Sequence, residues 1–341
     1  MERRTLLAAA PFVTTGPLLT RFTPSTKPAP STPAAAPGRV GRADVTALWE
    51  AAADARRADA RYGGGNPHAP RALACLQHRA APLLTGHYTE AVGRDLFRAV
   101  AELARVVAWA DIDMGRHDRA RRHLDEALRA ARAAGDAQAI CYVLATGSLQ
   151  QYLLGRPAGA VSMAEAALDH GRHRAAPRTL AFARLAAARG HGRAGDARAA
   201  GASLAAAERL LEAADSDPDD PPWLAYLTHA RLASDSSEVE RDLHHPHAAL
   251  RWSRQAEPMP VGVHTRAVGL RAAVTATIHA QNRDPDRALE AAEHSLAVLG
   301  RVRSARAHDY LRSVSTALAP WKTEPSVAGY LHRARATLAT V

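Results

Sequence analysis

A small residue returns along this chain at a nearly constant interval. An alanine stands five positions after a glycine or other turn residue six times: Ala120 after Gly115, Ala160 after Gly155, Ala200 after Gly195, Ala249 after His244, Ala288 after Arg283 and Ala328 after Thr323. The steps are 40, 40, 49, 39 and 40 residues. A period of about 40 residues is that of stacked helix pairs. The physics of each turn agrees. The turn residue takes the left-handed conformation that ends one helix, and the alanine lets the next helix pack closely against it. Start signals recur beside the turns. Asp118, Asp136, Asp196 and Asp284 are expected N-caps, and Pro157, Pro177, Pro246 and Pro285 suit the first helical position.

Composition narrows the fold class further. With 4 Phe among 341 residues and an aromatic content of 5%, the chain lacks the aromatic and β-branched residues of a sandwich or barrel. Two cysteines and no CxxC exclude a disulfide scaffold, a zinc ribbon and a thioredoxin-like motif. No apolar run reaches the roughly 18–20 residues of a membrane span. The expected fold is all-α, a helical-repeat solenoid over residues 43–341. The step of 49 contains DSDPDDPP at 215–222, the expected internal boundary, and EPMPVG at 257–262 is a second break. A first helix is expected to end at the triple glycine 63–65, read as a flexible loop. A long helix is expected from about Thr89 to Met114.

The net charge of +10 is unevenly spread. Residues 1–42 carry six basic residues against Glu2, and the remaining 299 share +5. That surplus is interleaved with acids, as on solvated helix faces, so direct nucleic-acid binding is not expected. The first 42 residues combine MERRTLL with the Pro-rich TPSTKPAPSTPAAAPG. They read as a basic, disordered tail of a cytoplasmic protein. The alternative is a twin-arginine-like export signal, although Pro11, Gly16 and Pro17 interrupt its apolar stretch.

The turn motifs GHYTEA at 86–91 and GRHDRARRHLDEAL after Met114 resemble tetratricopeptide repeats. LWEAAADARRADARYGGG, followed by AVGRDLFRAVAELARVVAWADIDMGRHDRARRHLDEALRAARAAGD, resembles the C-terminal repeat region of actinobacterial transcriptional regulators of the Xre type. The resemblance covers about residues 43–212 and implies a sensing or dimerising role, with a peptide, a protein or a second copy of the chain as partner. In that family a helix-turn-helix domain precedes the repeats. The 42 residues here are too few for one, so no base-reading residues are assigned.

No catalytic constellation stands out. HHPH at 244–247 lacks converging ligands, GGGNPHAP lacks the rest of a phosphate loop, and Cys75 and Cys141 lie in apolar helical stretches. The chain therefore reads as a non-catalytic binding protein, with no cofactor or metal expected. In tetratricopeptide arrays the first helix of each pair lines a concave groove. Positions 13, 10, 6 and 3 before each turn residue should face it. They are Glu102, Arg105, Trp109 and Ile112; Tyr142, Ala145, Leu149 and Tyr152; Phe182, Leu185, Arg189 and Gly192; Arg231, Ser234, Glu238 and Arg241. Rings beside guanidinium groups suit an extended peptide with acidic groups. The other reading makes Trp109, Tyr142 and Phe182 core between repeats.

Overall fold

The computed structural model describes residues 38–214, 217, 220–256 and 264–339. The N-terminal tail up to residue 37 and the break at 257–262 lie outside them, as do four positions of the 215–222 boundary. The described chain is helical throughout, with one isolated bridge, between Arg39 and His87, as its β feature. Among the described residues no helix is long and apolar enough to cross a membrane.

The chain opens with α1 (Arg42–Tyr62), α2 (Ala69–Ala74) and α3 (Ala81–Leu83), the last two joined through a π-helical turn at Cys75–Ala80. Five helix pairs follow: α4 (Glu90–Asp113) with α5 (His117–Ala133), α6 (Ala137–Leu153) with α7 (Pro157–Gly171), α8 (Pro177–Ala194) with α9 (Ala197–Ala214), α10 (His229–Asp242) with α11 (Pro246–Gln255), and α12 (Thr265–Gln281) with α13 (Pro285–Leu299). The chain ends in α14 (Ala305–Leu318) and α15 (Pro325–Ala339). Sequence causes are visible at the joints. Gly115, Gly155 and Gly195 have φ of 70°, 67° and 79°. Two of the weaker copies use non-glycine residues in the same conformation, His244 at 58° and Arg283 at 57°; at the third, Thr323 is not left-handed. Thr89 caps α4, and the long helix is one element of 24 residues. Asp136, Asp196 and Asp284 accept from backbone amides three residues on. Asp118 instead lies inside the first turn of α5, whose cap is Arg116.

Two kinds of helix result. The second helix of each pair buries one face, as with Ala120, Leu124, Ala127 and Ala131 in α5. The first helices are enclosed nearly all round, as with Ala99–Ala108 in α4 and Cys141–Ser148 in α6. They pack on one another in sequence, α4 on α6, α6 on α8, α8 on α10, α10 on α12 and α12 on α14. The repeating alanines 120, 160, 200, 249 and 288 are wholly buried. Ala328 is exposed, because α15 turns Val327, Tyr330, Leu331 and Ala334 inward instead. Gly195 has open space around its missing Cβ, so only its backbone conformation matters there. Gly195→Ala is expected to lower the unfolding free energy by about 1 kcal/mol, read from a urea midpoint.

An array of stacked pairs is expected to touch only neighbours along its length. Here the two ends meet. Arg266 of α12 forks onto Asp59 of α1 at 2.8 and 2.6 Å, and its Nη1 also lies 3.0 Å from Asp113 at the end of α4. Arg306 of α14 lies 3.3 Å from the same Asp113, which is fully buried. The triple glycine is packed into this junction rather than a loose loop. The Gly64 amide donates to Asp113 at 2.7 Å and the Gly65 amide to the Arg303 carbonyl at 2.9 Å. A Cβ on Gly64 would fall 2.5 Å from the Ala110 carbonyl oxygen, which only glycine avoids.

Candidate functional site

The closure turns the inner surface of the first helices into a cavity of about 1090 Å³. That is at the upper end of ordinary ligand pockets. Its contents are unusual for this chain. Phe, Trp and Tyr number 4, 5 and 7, and eight of those sixteen rings line the cavity. Among the described residues eight arginines line it as well, against four acids. Rings and guanidinium groups are paired throughout. Arg105 sits 4.2 Å from the Tyr142 centroid, Arg193 and Arg189 4.6 and 5.4 Å from Tyr152, and Arg306 5.1 Å from Trp109. Tyr142 meets Phe182 edge-on at 5.1 Å.

The register read from the turns largely holds. Arg105, Trp109, Tyr142, Leu149, Tyr152, Phe182, Leu185, Arg189, Arg231, Ser234 and Glu238 all line the cavity. Glu102 and Arg241 do not; they sit one layer behind. Glu102 ion-pairs with Arg56 and takes two bonds of 2.8 Å from Arg105, holding both cations in place. Arg241 pairs with Asp242 at 2.7 Å and Glu238 at 3.3 Å. Ile112 and Ala145 are buried core, and Gly192 lies against Val239. The choice between groove and core is not exclusive. Tyr142, Tyr152 and Phe182 are almost completely buried yet bound the cavity, whereas Trp109 is half-buried.

Several cavity residues lie outside that register. Trp49 of α1 stacks on Trp223 with centroids 5.3 Å apart. Trp223 and Tyr226 come from the segment between α9 and α10, just after the expected boundary at 215–222. Arg178 ties that segment down through Asp220 at 2.8 Å and the Leu227 carbonyl at 2.6 Å. Arg266, Arg306 and Tyr310 arrive only because the ends meet. A signal for some was present: counting 13 back from Thr323 reaches Tyr310, and from Arg283 reaches Leu270, both in the cavity wall. Arg266 and Arg306 each stand four residues, about one helical turn, earlier.

Burial and charge oppose each other here. Burial alone would raise Glu102, but Arg105 and Arg56 outweigh it and hold the carboxyl below its usual range. For Glu238, burial is likewise outweighed by Arg189, Arg241 and the Tyr310 hydroxyl, which bring it down to about 2. Burial raises Tyr142, Tyr152 and Tyr310, keeping the phenols neutral. A carboxyl depressed in the folded state stabilises it above the unfolded value and loses that contribution as pH falls through the folded one. Glu238 should therefore contribute roughly 3 kcal/mol at neutral pH, lost between about pH 4.5 and 2. Glu238→Gln is expected to flatten the fall of stability in that window, read from denaturant midpoints at successive pH values.

The groups gathered here can bind and orient. Rings offer apolar faces, and guanidinium forks match carboxylate or phosphate oxygens. Cys141 is fully buried and its thiol is pushed up to about 12, so it is not a nucleophile at neutral pH. Among the described residues no three His, Cys, Asp or Glu side chains converge as a metal site. Comparison with protein-family models, with characterised proteins and with solved structures finds no match to this chain.

Proposed function

We propose that this chain is a non-catalytic regulatory protein of the tetratricopeptide-like type that binds a peptide or protein tail in its central cavity. The observation that carries the reading is the gathering of half the chain's aromatic rings, with eight arginines, around one cavity. An ordinary helical core needs neither. The left-handed turn residues, the buried alanines and the inward register of the first helices support the tetratricopeptide likeness. On this reading the chain is a cytoplasmic sensor or adaptor related to the repeat regions of Xre-type regulators, acting without reading DNA itself.

The test is selection of a random heptapeptide library on the immobilised full chain, with Trp109→Ala as the comparison. Sequences joining aromatic and acidic residues should be enriched on the wild type and lost on the variant. No enrichment, or equal enrichment on both, would defeat the proposal. N-terminal sequencing of the protein from the cytosolic fraction tests its location; an intact Met1 or Glu2 end there supports the cytoplasm.

A further inference from the structure

Arg306 of α14 stands on the cavity wall with its hydrogen bonds unmade. It lies 5.1 Å from the Trp109 ring centroid, and its side chain is 15% exposed. Its Nε is 3.3 Å from the Asp113 Oδ1, yet the two are misaligned: both atoms are buried, and neither has a hydrogen-bond partner among the described residues. No other hydrogen bond reaches this guanidinium from those residues. Other cations of the wall are better served. Arg266 forks onto Asp59 at 2.8 and 2.6 Å. Arg105 holds Glu102 with two bonds of 2.8 Å. Arg189 holds Asp235 at 2.9 Å and Glu238 at 2.6 Å. A buried donor left without an acceptor calls for an explanation.

The surroundings select the acceptor. Trp109 covers a face of the guanidinium, and a carboxylate is bound in its plane, at the edge. Burial and the neighbouring Arg266 lower the pKa of Arg306 against the pull of Asp113, as expected of a cation with incomplete compensation. Asp59, Asp113, Arg266 and Arg306 together balance two charges against two. A carboxylate adds one negative charge, which a single fork can meet. A phosphomonoester adds about 1.5 to 2 at pH 7, beside two carboxylates that repel it. We propose that Arg306, steadied against Trp109, is the seat of a ligand carboxylate, and that filling it tightens the closure of the two ends. The second half follows from topology. Arg306 belongs to α14, whereas Trp109 and Asp113 belong to α4. The seat exists only while these helices meet, and a ligand that binds only the closed form stabilises it. The proposal rests on the reading of the cavity as a ligand site and deepens it by naming the group recognised. The carboxylate has two sources, an acidic side chain of the ligand or a free C-terminus.

The test titrates the full chain with an acidic heptapeptide selected on the cavity and with two relatives. One has its acidic side chains replaced by their amides, and the other has an amidated C-terminus. Loss of the responsible carboxylate should weaken binding to the wild type by about tenfold or more. Weakening by the side-chain amides assigns an acidic side chain, and weakening by the terminal amide a C-terminus; either supports the seat. In Arg306→Gln the same loss should cost less than about twofold, because its partner is already gone. Arg306→Lys keeps the charge beside Asp113 and should keep the ligand-free scattering profile, yet lose most of the carboxylate's contribution with the planar fork. Hydrogen exchange reads the coupling at Gly64 and Gly65, whose amides bond across the junction. The acidic peptide should slow it more than the neutral relative does at equal occupancy. Equal slowing by both, or none, would overturn the coupling. Equal binding of all three peptides to the wild type, or a carboxylate effect of full size in either variant, would overturn the seat and leave the cavity reading standing. Loss of all three peptides in both variants, with an expanded scattering profile, would make Arg306 a strut of the ring and overturn the seat too. Failure to select any peptide on the wild type would overturn both readings.

Discussion

Replacing Asp113 with alanine is expected to destabilise the protein by about 3–5 kcal/mol, the cost of breaking a buried ion pair from one side. The carboxylate is fully buried and receives Arg266 at 3.0 Å, Arg306 at 3.3 Å and the Gly64 amide at 2.7 Å. Removing it leaves the Arg306 guanidinium without its one ionic partner among the described residues, and a buried amide without an acceptor. Arg266 keeps Asp59, so the loss falls on the junction rather than on any single helix pair. The signature should therefore be separable into two parts. Denaturant unfolding should show the large loss of stability, and small-angle scattering under native conditions should show expansion as the ends part. A loss below about 1 kcal/mol with unchanged scattering would mean that closure is held elsewhere. The effect should also be coupled. In a double-mutant cycle, Asp113→Ala and Arg266→Met should be strongly non-additive, since they share one buried network.

The second large effect concerns binding. Trp109→Ala should weaken binding of a peptide selected on the cavity by more than about tenfold, near 2 kcal/mol, the range of an aromatic hot spot. Trp109 is suited to this because it is half-buried, lines the cavity and has a guanidinium over its face. The melting temperature should fall by no more than about a few degrees in a chain of this size. Calorimetric titration and thermal melting of the same sample separate the two. A large fall in melting temperature with unchanged affinity would make Trp109 a packing residue only. Tyr152→Ala provides the contrast: its ring is 1% exposed, so truncation should lower stability as well as affinity.

How far the residues themselves disclosed this arrangement depends on range. The turns are local, and local chemistry was legible. A left-handed glycine five residues before a small alanine carries its own physical reason, and it located even the non-glycine turns at His244 and Arg283. Counting back along the first helix of each pair then reached Arg105, Trp109 and Arg189 correctly, because the inner face of a helix is set by its period. The errors lie where contacts are distant. Glu102 and Arg241 fell behind the wall because a buried carboxylate and a buried guanidinium were needed to hold their neighbours, which spacing along one helix does not disclose. The triple glycine at 63–65 read as a loose loop, yet its small size serves a contact with residues about 50 and 240 positions away. Arg266 and Arg306 entered the site only through that closure. The contact between Asp59 and Arg266 spans 207 residues, and no periodicity in the chain announces it.

The central claim is that ligands enter the cavity formed by the first helices of the pairs. Photo-cross-linking tests it most directly, using a cavity-selected heptapeptide that carries a benzophenone side chain, with adducts mapped by mass spectrometry on the full chain. The account predicts adducts on α4, α6, α8, α10 and α12, concentrated near Trp109, Tyr142 and Arg231, and their loss in Trp109→Ala. Adducts on the outer helices α5, α7 and α9, undiminished by that substitution, would contradict it.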